Sequence, residues 1–144
     1  MTNPTANFNW QMPTSTDLVT DLPADFAVFG DAVDSTVAAY TTKIALNAQT
    51  GTTYTLVAGD LGKLVTTSNA SAVTVTIPPS IFVAGNSINV QSIGVGLTSF
   101  AAGAGVTITS TGATAAAPVL RARYSACTII CTASNTFTVV GDLS

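Results

Sequence analysis

The chain has 144 residues, which suits a single domain, and only 8% of them are charged, against about 25% in an average soluble protein. With no histidine and only 4 basic residues, it lacks the usual catalytic dyads, histidine metal ligands and the cations of a nucleic-acid interface, so we expect no enzyme, metal, cofactor or nucleic acid. A surface so poor in charge is typical of proteins that pack against other copies or against another protein.

Residues 1–20 are predicted to form an extended attachment arm. The segment is polar and contains two prolines, yet it places three large apolar side chains at alternate positions, on one side of an extended chain. A disordered terminus is the alternative, but it would leave the only tryptophan exposed, so we expect these side chains to enter a groove of a partner. Two aspartates at the end of the arm can add charge-assisted hydrogen bonds. The predicted docking residues are Phe8, Trp10, Met12, Asp17 and Asp21.

A helix is predicted for residues 21–42. Asp21 can cap it, Pro23 suits its first turn, and Asp25 complements the helix dipole. Five apolar residues at helical spacing form one stripe, namely Phe26, Phe29, Val33, Val37 and Tyr40. The sequence offers no second helix to cover this stripe, so it packs either on the β-domain or against other copies. We favour a bundle of three or more copies, with the stripe as the oligomer interface.

From residue 43 onward the sequence alternates apolar and polar residues with the period of a β-strand. Strands are predicted at 52–57, 63–67, 72–77, 86–92, 97–102, 106–110, 118–123, 126–131 and 136–140. Alternation of this kind is typical of half-buried antiparallel strands, and no exact repeat supports a long solenoid. For 43–144 we therefore predict a compact antiparallel β-sandwich or barrel.

Several short segments resemble functional motifs, but each has a simpler structural interpretation. The Gly-x-Gly sequences at 94–96 and 103–105 precede no helix, so they are interpreted as hairpin turns and not as phosphate loops. Asp60 is expected to cap its own turn. Cys127 and Cys131 would lie about 13 Å apart along a strand, too far for a disulfide, so we expect two buried thiols.

A glycan-binding module is a further alternative for such a β-domain, because exposed rings and clustered polar groups can bind sugars. The rings of 43–144 are spread out and fall mostly in strand contexts, with only two acids near them in the sequence. We therefore expect these rings to fill the core. They are Tyr54, Phe82, Phe100, Tyr124 and Phe137.

No segment of the sequence indicates a membrane location. The first ten residues lack a basic region followed by an apolar run, so we expect no secretory signal and synthesis in the cytoplasm. Polar residues interrupt every apolar run before it reaches the roughly 18 residues of a spanning helix. We therefore expect no membrane partner.

The stretch NFNWQMPTSTDLVTDLPADFAVFGDAVDSTV at 7–37 resembles the N-terminal attachment segment of bacteriophage fibre and virion-decoration proteins. Residues 54–65, 72–79, 103–108 and 124–143 are similar to the small β-domain of those proteins. The resemblance implies a non-enzymatic structural protein at the virion surface, a homotrimeric capsid-decoration or head-fibre protein. Its implied partners are itself and the major capsid protein or a tail or adaptor protein.

Two alternatives accompany this expectation. One is a tail-fibre or tail-tip component with a similar trimer, and the other is a glycan-binding module on the virion surface. Receptor-binding fibres usually carry long distal regions that do not follow this β-domain in the sequence, which favours a short trimer attached to the capsid.

Overall fold

A computed structural model describes residues 22–41, 44–110 and 117–144 of the chain. The chain divides into two units, residues 1–43 and residues 44–144, and we describe each by itself. The first unit contains the helix α1. The second, which we call the β-unit, contains the strands.

The helix α1 spans Leu22–Thr41, where the sequence predicts a helix over 21–42. Pro23 lies in the first turn, where a backbone N–H has no acceptor within the helix. Further along, the hydroxyl of Thr36 donates to the carbonyl of Ala32 at 2.8 Å, which satisfies this polar side chain on the helix itself. One glycine and three valines lower the intrinsic helix propensity, so packing has to supply part of the stability of α1.

The β-unit is built from nine strands within the described residues. They are β1 Ala45–Gln49, β2 Thr53–Thr55, β3 Lys63–Thr67, β4 Val73–Ile77, β5 Ser87–Ser92, β6 Thr98–Ala102, β7 Thr107–Ser110, β8 Ala126–Ala133 and β9 Thr136–Gly141. A 3-10 turn, Ala58–Asp60, lies between β2 and β3. Strands β2 to β9 fall where the sequence predicts strands, whereas β1 lies where it predicts none.

Successive strands alternate between two sheets. β1, β3 and β5 are parallel neighbours in one sheet, and β2, β4 and β6 are parallel neighbours in the other. The chain therefore crosses from one sheet to the other and returns one strand further along each time. Three such turns of the chain, which we call coils, form a short β-solenoid in the described part of the β-unit.

The predicted antiparallel β-sandwich or barrel is therefore wrong, although the predicted mainly β class is confirmed. Alternation of apolar and polar residues identifies the buried face of a strand, but carries no information on the direction of its neighbours. In β4, Val73, Val75 and Ile77 are buried, yet both neighbours of β4 run parallel to it. The lack of an exact repeat does not exclude a short solenoid, because these coils differ in length and sequence.

A hairpin continues the larger sheet after the third coil. Its strands β8 and β9 are antiparallel, β8 pairs antiparallel with β5, and β7 lies parallel to β9, so the order is β1-β3-β5-β8-β9-β7. The strand predicted for 118–123 does not form. In its place Val119 and Leu120 make isolated bridges to Ser99 and Leu143.

The hydrophobic core lies between the two sheets. Its buried members are Leu56, Val65, Val75, Ile77, Phe82, Ile88, Val90, Phe100, Ile108, Leu120, Cys127, Ile129, Cys131, Phe137 and Val139. Phe82 and Phe137 meet edge to face with ring centroids 6.2 Å apart, a favoured geometry for two aromatic rings.

The prediction of two buried thiols is confirmed, since Cys127 and Cys131 are both free and buried. Burial raises the pKa of Cys127 to about 12 and also raises that of Cys131, so both stay protonated near neutral pH.

The prediction that the rings of the β-unit fill the core is confirmed for three of the five. Phe82, Phe100 and Phe137 are buried, and Tyr54 packs against the core while partly exposed. For Tyr124 the prediction is wrong, because its side chain is exposed. The reason is that Tyr124 lies in a turn, closed by the Ser125 N–H on the Ala122 carbonyl at 3.1 Å, and not on a sheet face that would direct its ring inward.

Glycine allows neighbouring coils to approach closely at a corner. The segment 94–96, interpreted from the sequence as a hairpin turn, instead leads from β5 in one sheet to β6 in the other, and 103–105 likewise leads from β6 to β7. A Cβ atom added at Gly96 would overlap the backbone carbonyl of Ser71 in the preceding coil. The close stacking of these two coils therefore requires a residue without a side chain at this position.

We expect Gly96→Ala to lower the free energy of unfolding by about 2 kcal/mol or more, since the new methyl group must push the coils apart. Gly59→Ala is the matched control, because its added Cβ would meet nothing nearer than a Val57 methyl group at 4.0 Å. Its effect should stay within about 0.5 kcal/mol. Denaturant unfolding of both variants measures the difference, and equal midpoints would show that the coils do not stack this tightly.

Candidate functional site

Two sets of predicted site residues lie in the unit of residues 1–43. The docking residues Phe8, Trp10, Met12, Asp17 and Asp21 are outside the described residues, so their role stays a prediction. The stripe residues lie on α1 and can be examined, except for the side chain of Tyr40, which is also outside the description.

The apolar stripe of α1 is substantially exposed. Phe26 is 58% exposed and Val37 is 51% exposed, while Phe29 and Val33 are partly buried. These four residues fall within one face of the helix because they repeat at intervals of three and four. Val28 is 63% exposed as well but lies on the opposite face, outside the stripe. The role of the stripe as an oligomer interface stays a prediction.

The described residues contain few groups capable of catalysis or metal binding. No cluster of three or more acidic or thiol side chains among them could hold a metal ion. The two thiols are buried in the core with raised pKa values, which disfavours the reactive thiolate. In the part of the chain that the structure describes, no helix combines the length and the hydrophobicity needed to cross a membrane.

A polar cluster occupies the interior of the first coil. Asp60 is only 1% exposed, and its carboxylate accepts hydrogen bonds from three groups. The Tyr54 hydroxyl donates to both oxygens at 3.0 and 3.1 Å, the Asn47 side-chain amide donates to Oδ1 at 2.7 Å, and the Val57 N–H donates to Oδ2 at 2.8 Å. The prediction that Asp60 caps its turn is thereby confirmed, since the Val57 N–H belongs to the start of the 3-10 turn.

We call these hydrogen-bonded groups the Asp60 cluster, and its contacts indicate a structural role. Gln49 donates to the side-chain oxygen of Asn47 at 2.7 Å, so the network extends along β1. Burial and the neighbouring Asp60 carboxylate raise the pKa of Tyr54, which keeps its hydroxyl a donor. Because both oxygens of Asp60 already accept hydrogen bonds within the chain, the cluster presents no free carboxylate to a ligand.

A second polar network fixes the loop before β8. The Asp142 carboxylate accepts a hydrogen bond from the Ser125 hydroxyl at 2.6 Å and one from the Arg121 Nε at 2.7 Å, in an ion pair. The Ser125 hydroxyl oxygen in turn accepts from the Ala122 N–H at 3.1 Å. The Ser125 hydrogen bond first, and then Arg121, hold the pKa of Asp142 below its usual value. The loop is therefore tied to the C-terminal segment from two directions.

Tyr124 in this loop has an unusual backbone conformation. Its φ is 71°, in the left-handed region that bulky side chains rarely adopt. The conformation is held by its N–H, which donates to the carbonyl of Ser92 at 2.6 Å. The phenol side chain is 61% exposed to solvent. Tyr124 is also the third residue of a turn that the Ser125 N–H closes on the Ala122 carbonyl at 3.1 Å, a position where type II turns require a positive φ.

Arg123 lies against the Tyr124 ring, and we call these two residues the Arg–Tyr corner. The guanidinium carbon is 4.7 Å from the ring centroid, within the range of a cation–π interaction. The Nε atom of Arg123 donates to the carbonyl of Ile93 at 2.9 Å, which fixes the head group from a second side. Arg121 is paired with Asp142, whereas Arg123 has no ion pair within the described residues.

The sequence pattern does not predict this corner. Arg121 and Arg123 fall within the strand predicted for 118–123, which does not form, and Tyr124 is predicted to lie in the core but is exposed. A signal was present in the Arg-Ala-Arg-Tyr sequence, which places two of the three basic residues of 44–144 next to a ring. The alternation of apolar and polar residues at 118–123 obscures this signal, because a strand would show the same alternation.

Comparison of the chain with models of protein families, with curated proteins and with solved structures found no match. Its function is therefore inferred from its own residues.

The network around Asp142 generates a prediction on pH dependence. Because the folded state lowers the pKa of Asp142, the ionised carboxylate stabilises the fold above its usual pKa of 3.8, and this contribution is lost as the pH falls through the folded pKa. In Ser125→Ala the pKa of Asp142 should rise toward 3.8, as measured by NMR titration of the carboxyl carbon.

Stability provides a second measurement of the same network. The difference in unfolding free energy between the unsubstituted chain and Ser125→Ala should be largest above pH 3.8 and shrink as the pH falls below it. Ser87→Ala, on an exposed serine of β5, is the control and should leave the Asp142 titration unchanged. An unchanged Asp142 pKa in Ser125→Ala would contradict the assignment of the Ser125 hydroxyl as its main stabiliser.

Proposed function

We propose that the chain is a non-enzymatic structural protein of a bacteriophage virion, a trimeric capsid-decoration or head-fibre protein that docks through residues 1–20. The observation that carries the proposal is the exposed apolar stripe of α1 in a chain with only 8% charged residues. The resemblance of residues 7–37 to phage attachment segments supports it.

The stripe favours association for an energetic reason. Burying a large apolar side chain stabilises an assembly by roughly 1.5–3 kcal/mol, and each copy brings at least one such side chain, Phe26, that is more than half exposed. The low helix propensity of α1 adds to this, because a helix that is weak alone is stabilised by packing against its neighbours. A bundle of three copies would meet both needs.

Trimerisation also supplies a mechanism of attachment. Each arm docks weakly on the capsid by itself, but three linked arms raise the effective concentration at the second and third sites. The β-units then project outward from the particle. The proposed partners are accordingly the chain itself and the major capsid protein, with a tail or adaptor protein as the alternative attachment site.

Sedimentation equilibrium of the purified protein tests the trimer. We expect the unsubstituted chain to have the mass of three copies and Phe26→Gln to dissociate, because a polar side chain replaces the most exposed of the stripe residues that the structure describes. Val28→Gln is the matched control, since Val28 is 63% exposed against 58% for Phe26 but lies on the other face of α1, and it should remain trimeric. A monomeric unsubstituted chain, or equal dissociation of both variants, would remove the basis for the bundle.

Virion incorporation tests the docking arm. Trp10→Ala should abolish loading onto particles while the trimer survives, because the arm loses its largest anchor but the helix is unchanged. Quantitative mass spectrometry of purified virions measures the loading and gives the copy number as well. Full loading of Trp10→Ala would refute the anchor. A copy number that matches the capsid lattice supports capsid attachment, and a handful of copies supports the tail-fibre alternative.

A further inference from the structure

We propose that the Arg–Tyr corner, Arg123 with Tyr124, is a binding site for an acidic saccharide. In this site the carboxylate or phosphate group of the ligand pairs with the guanidinium of Arg123, and the adjoining sugar ring packs against the part of the exposed Tyr124 ring that the guanidinium leaves open. The inference goes beyond the proposed virion function and does not depend on it.

The guanidinium of Arg123 is held ready for an anion. Of its five N–H donors, the one on Nε is used by the carbonyl of Ile93, and the terminal amino groups have no hydrogen-bond partner among the described residues. Two contacts, to this carbonyl and to the Tyr124 ring, fix its position, so a ligand loses little by ordering it. A planar guanidinium in a fixed position suits the two oxygens of a carboxylate or phosphate.

The charge of Arg123 is unsatisfied within the described chain. Its near neighbour Arg121 is neutralised by Asp142 at 2.6 Å, but no acidic side chain of the described residues lies within ion-pair distance of Arg123. Within the described residues, the guanidinium of Arg123 is therefore available to pair with an acidic group of a ligand.

The backbone of Tyr124 presents its ring to solvent at an energetic cost. A left-handed conformation is strained for a residue with a side chain, and it persists only where neighbouring contacts enforce it. Here the enforcing contacts are the turn hydrogen bond of the Ser125 N–H to the Ala122 carbonyl, that of the Tyr124 N–H to the Ser92 carbonyl, and that of the Gln91 amide to the Tyr124 carbonyl at 3.4 Å. The ring is accordingly fixed in an exposed position instead of being buried in the core.

The chemistry of the corner selects the class of ligand. One cation is too little for a nucleic acid or an anionic membrane surface, which need several. One exposed aromatic ring in contact with one guanidinium matches a single sugar residue with one acidic group, since a sugar offers an apolar C–H face and the acid offers paired oxygens. A neutral sugar would leave the guanidinium unpaired and should bind more weakly.

The test uses the full-length protein and an array of oligosaccharides that carry sialic acid, a hexuronic acid or a sugar phosphate, each beside its neutral counterpart. Affinity for the best acidic ligand is then measured by NMR titration. Arg123→Gln and Tyr124→Asn should each weaken binding by about tenfold or more, the first by loss of charge-assisted hydrogen bonds and the second by loss of the ring. Asparagine tolerates the left-handed backbone, so this second variant keeps the loop conformation.

Lys63→Gln is the matched control, because it removes one positive charge from β3 and leaves the loop of the Arg–Tyr corner unchanged. It should keep the affinity within about twofold, as expected for a charge outside the site. The proposal is overturned if no acidic saccharide binds more tightly than its neutral counterpart, or if Lys63→Gln weakens binding as much as Arg123→Gln. It is also overturned if Tyr124 resists nitration in the assembled protein, since the corner would then be an interface between copies.

Discussion

The parallel stacking of the coils is the constraint on which the β-unit depends. It aligns residues of successive coils in rows, so that Val65 of β3 lies beside Val90 of β5 and Val75 of β4 lies beside Phe100 of β6. These row members are apolar because their side chains lie in the core between the two sheets. The stacking also demands glycine where the backbone of one coil meets that of the next, as at Gly96. The rows and the corner glycine thus follow from one geometric requirement.

The apolar rows of the β-unit end in different ways at the first coil and after the third coil. In the first coil, Asn47 is the row neighbour of Val65, and Tyr54 is the row neighbour of Val75. Both side chains donate hydrogen bonds to the Asp60 carboxylate. Because hydrogen-bonded polar residues replace apolar ones in the first coil, the rows end there without exposing a core side chain to solvent. After the third coil the larger sheet instead turns antiparallel with β8, whose buried face continues the core through Ile129.

The same contrast explains how far the sequence predicts this fold. It predicts β4 to within one residue, because buried valine and isoleucine side chains alternate there with more exposed threonines. It does not predict β1, where the inward positions hold Asn47 and Gln49 while Leu46 points out, the reverse of a strand that borders a core. Strand direction escapes it as well, since alternation is identical in parallel and antiparallel neighbours. The Arg–Tyr corner escapes it because a left-handed tyrosine depends on distant partners such as Ser92.

The distribution of charge separates the two units chemically. Five of the seven acids lie in the first 34 residues, whereas residues 44–144 carry three of the four bases and a formal net charge of +1. Both acids of the β-unit already have partners: Asp60 accepts hydrogen bonds in the Asp60 cluster, and Asp142 forms the ion pair with Arg121. The positive charge left on this surface therefore includes Arg123, held beside an exposed ring. In the functions proposed for this chain, the acidic helix with its apolar stripe would join copies and the β-unit with its unpaired cation would bind a ligand, so the difference in charge would follow a division of roles between the two units.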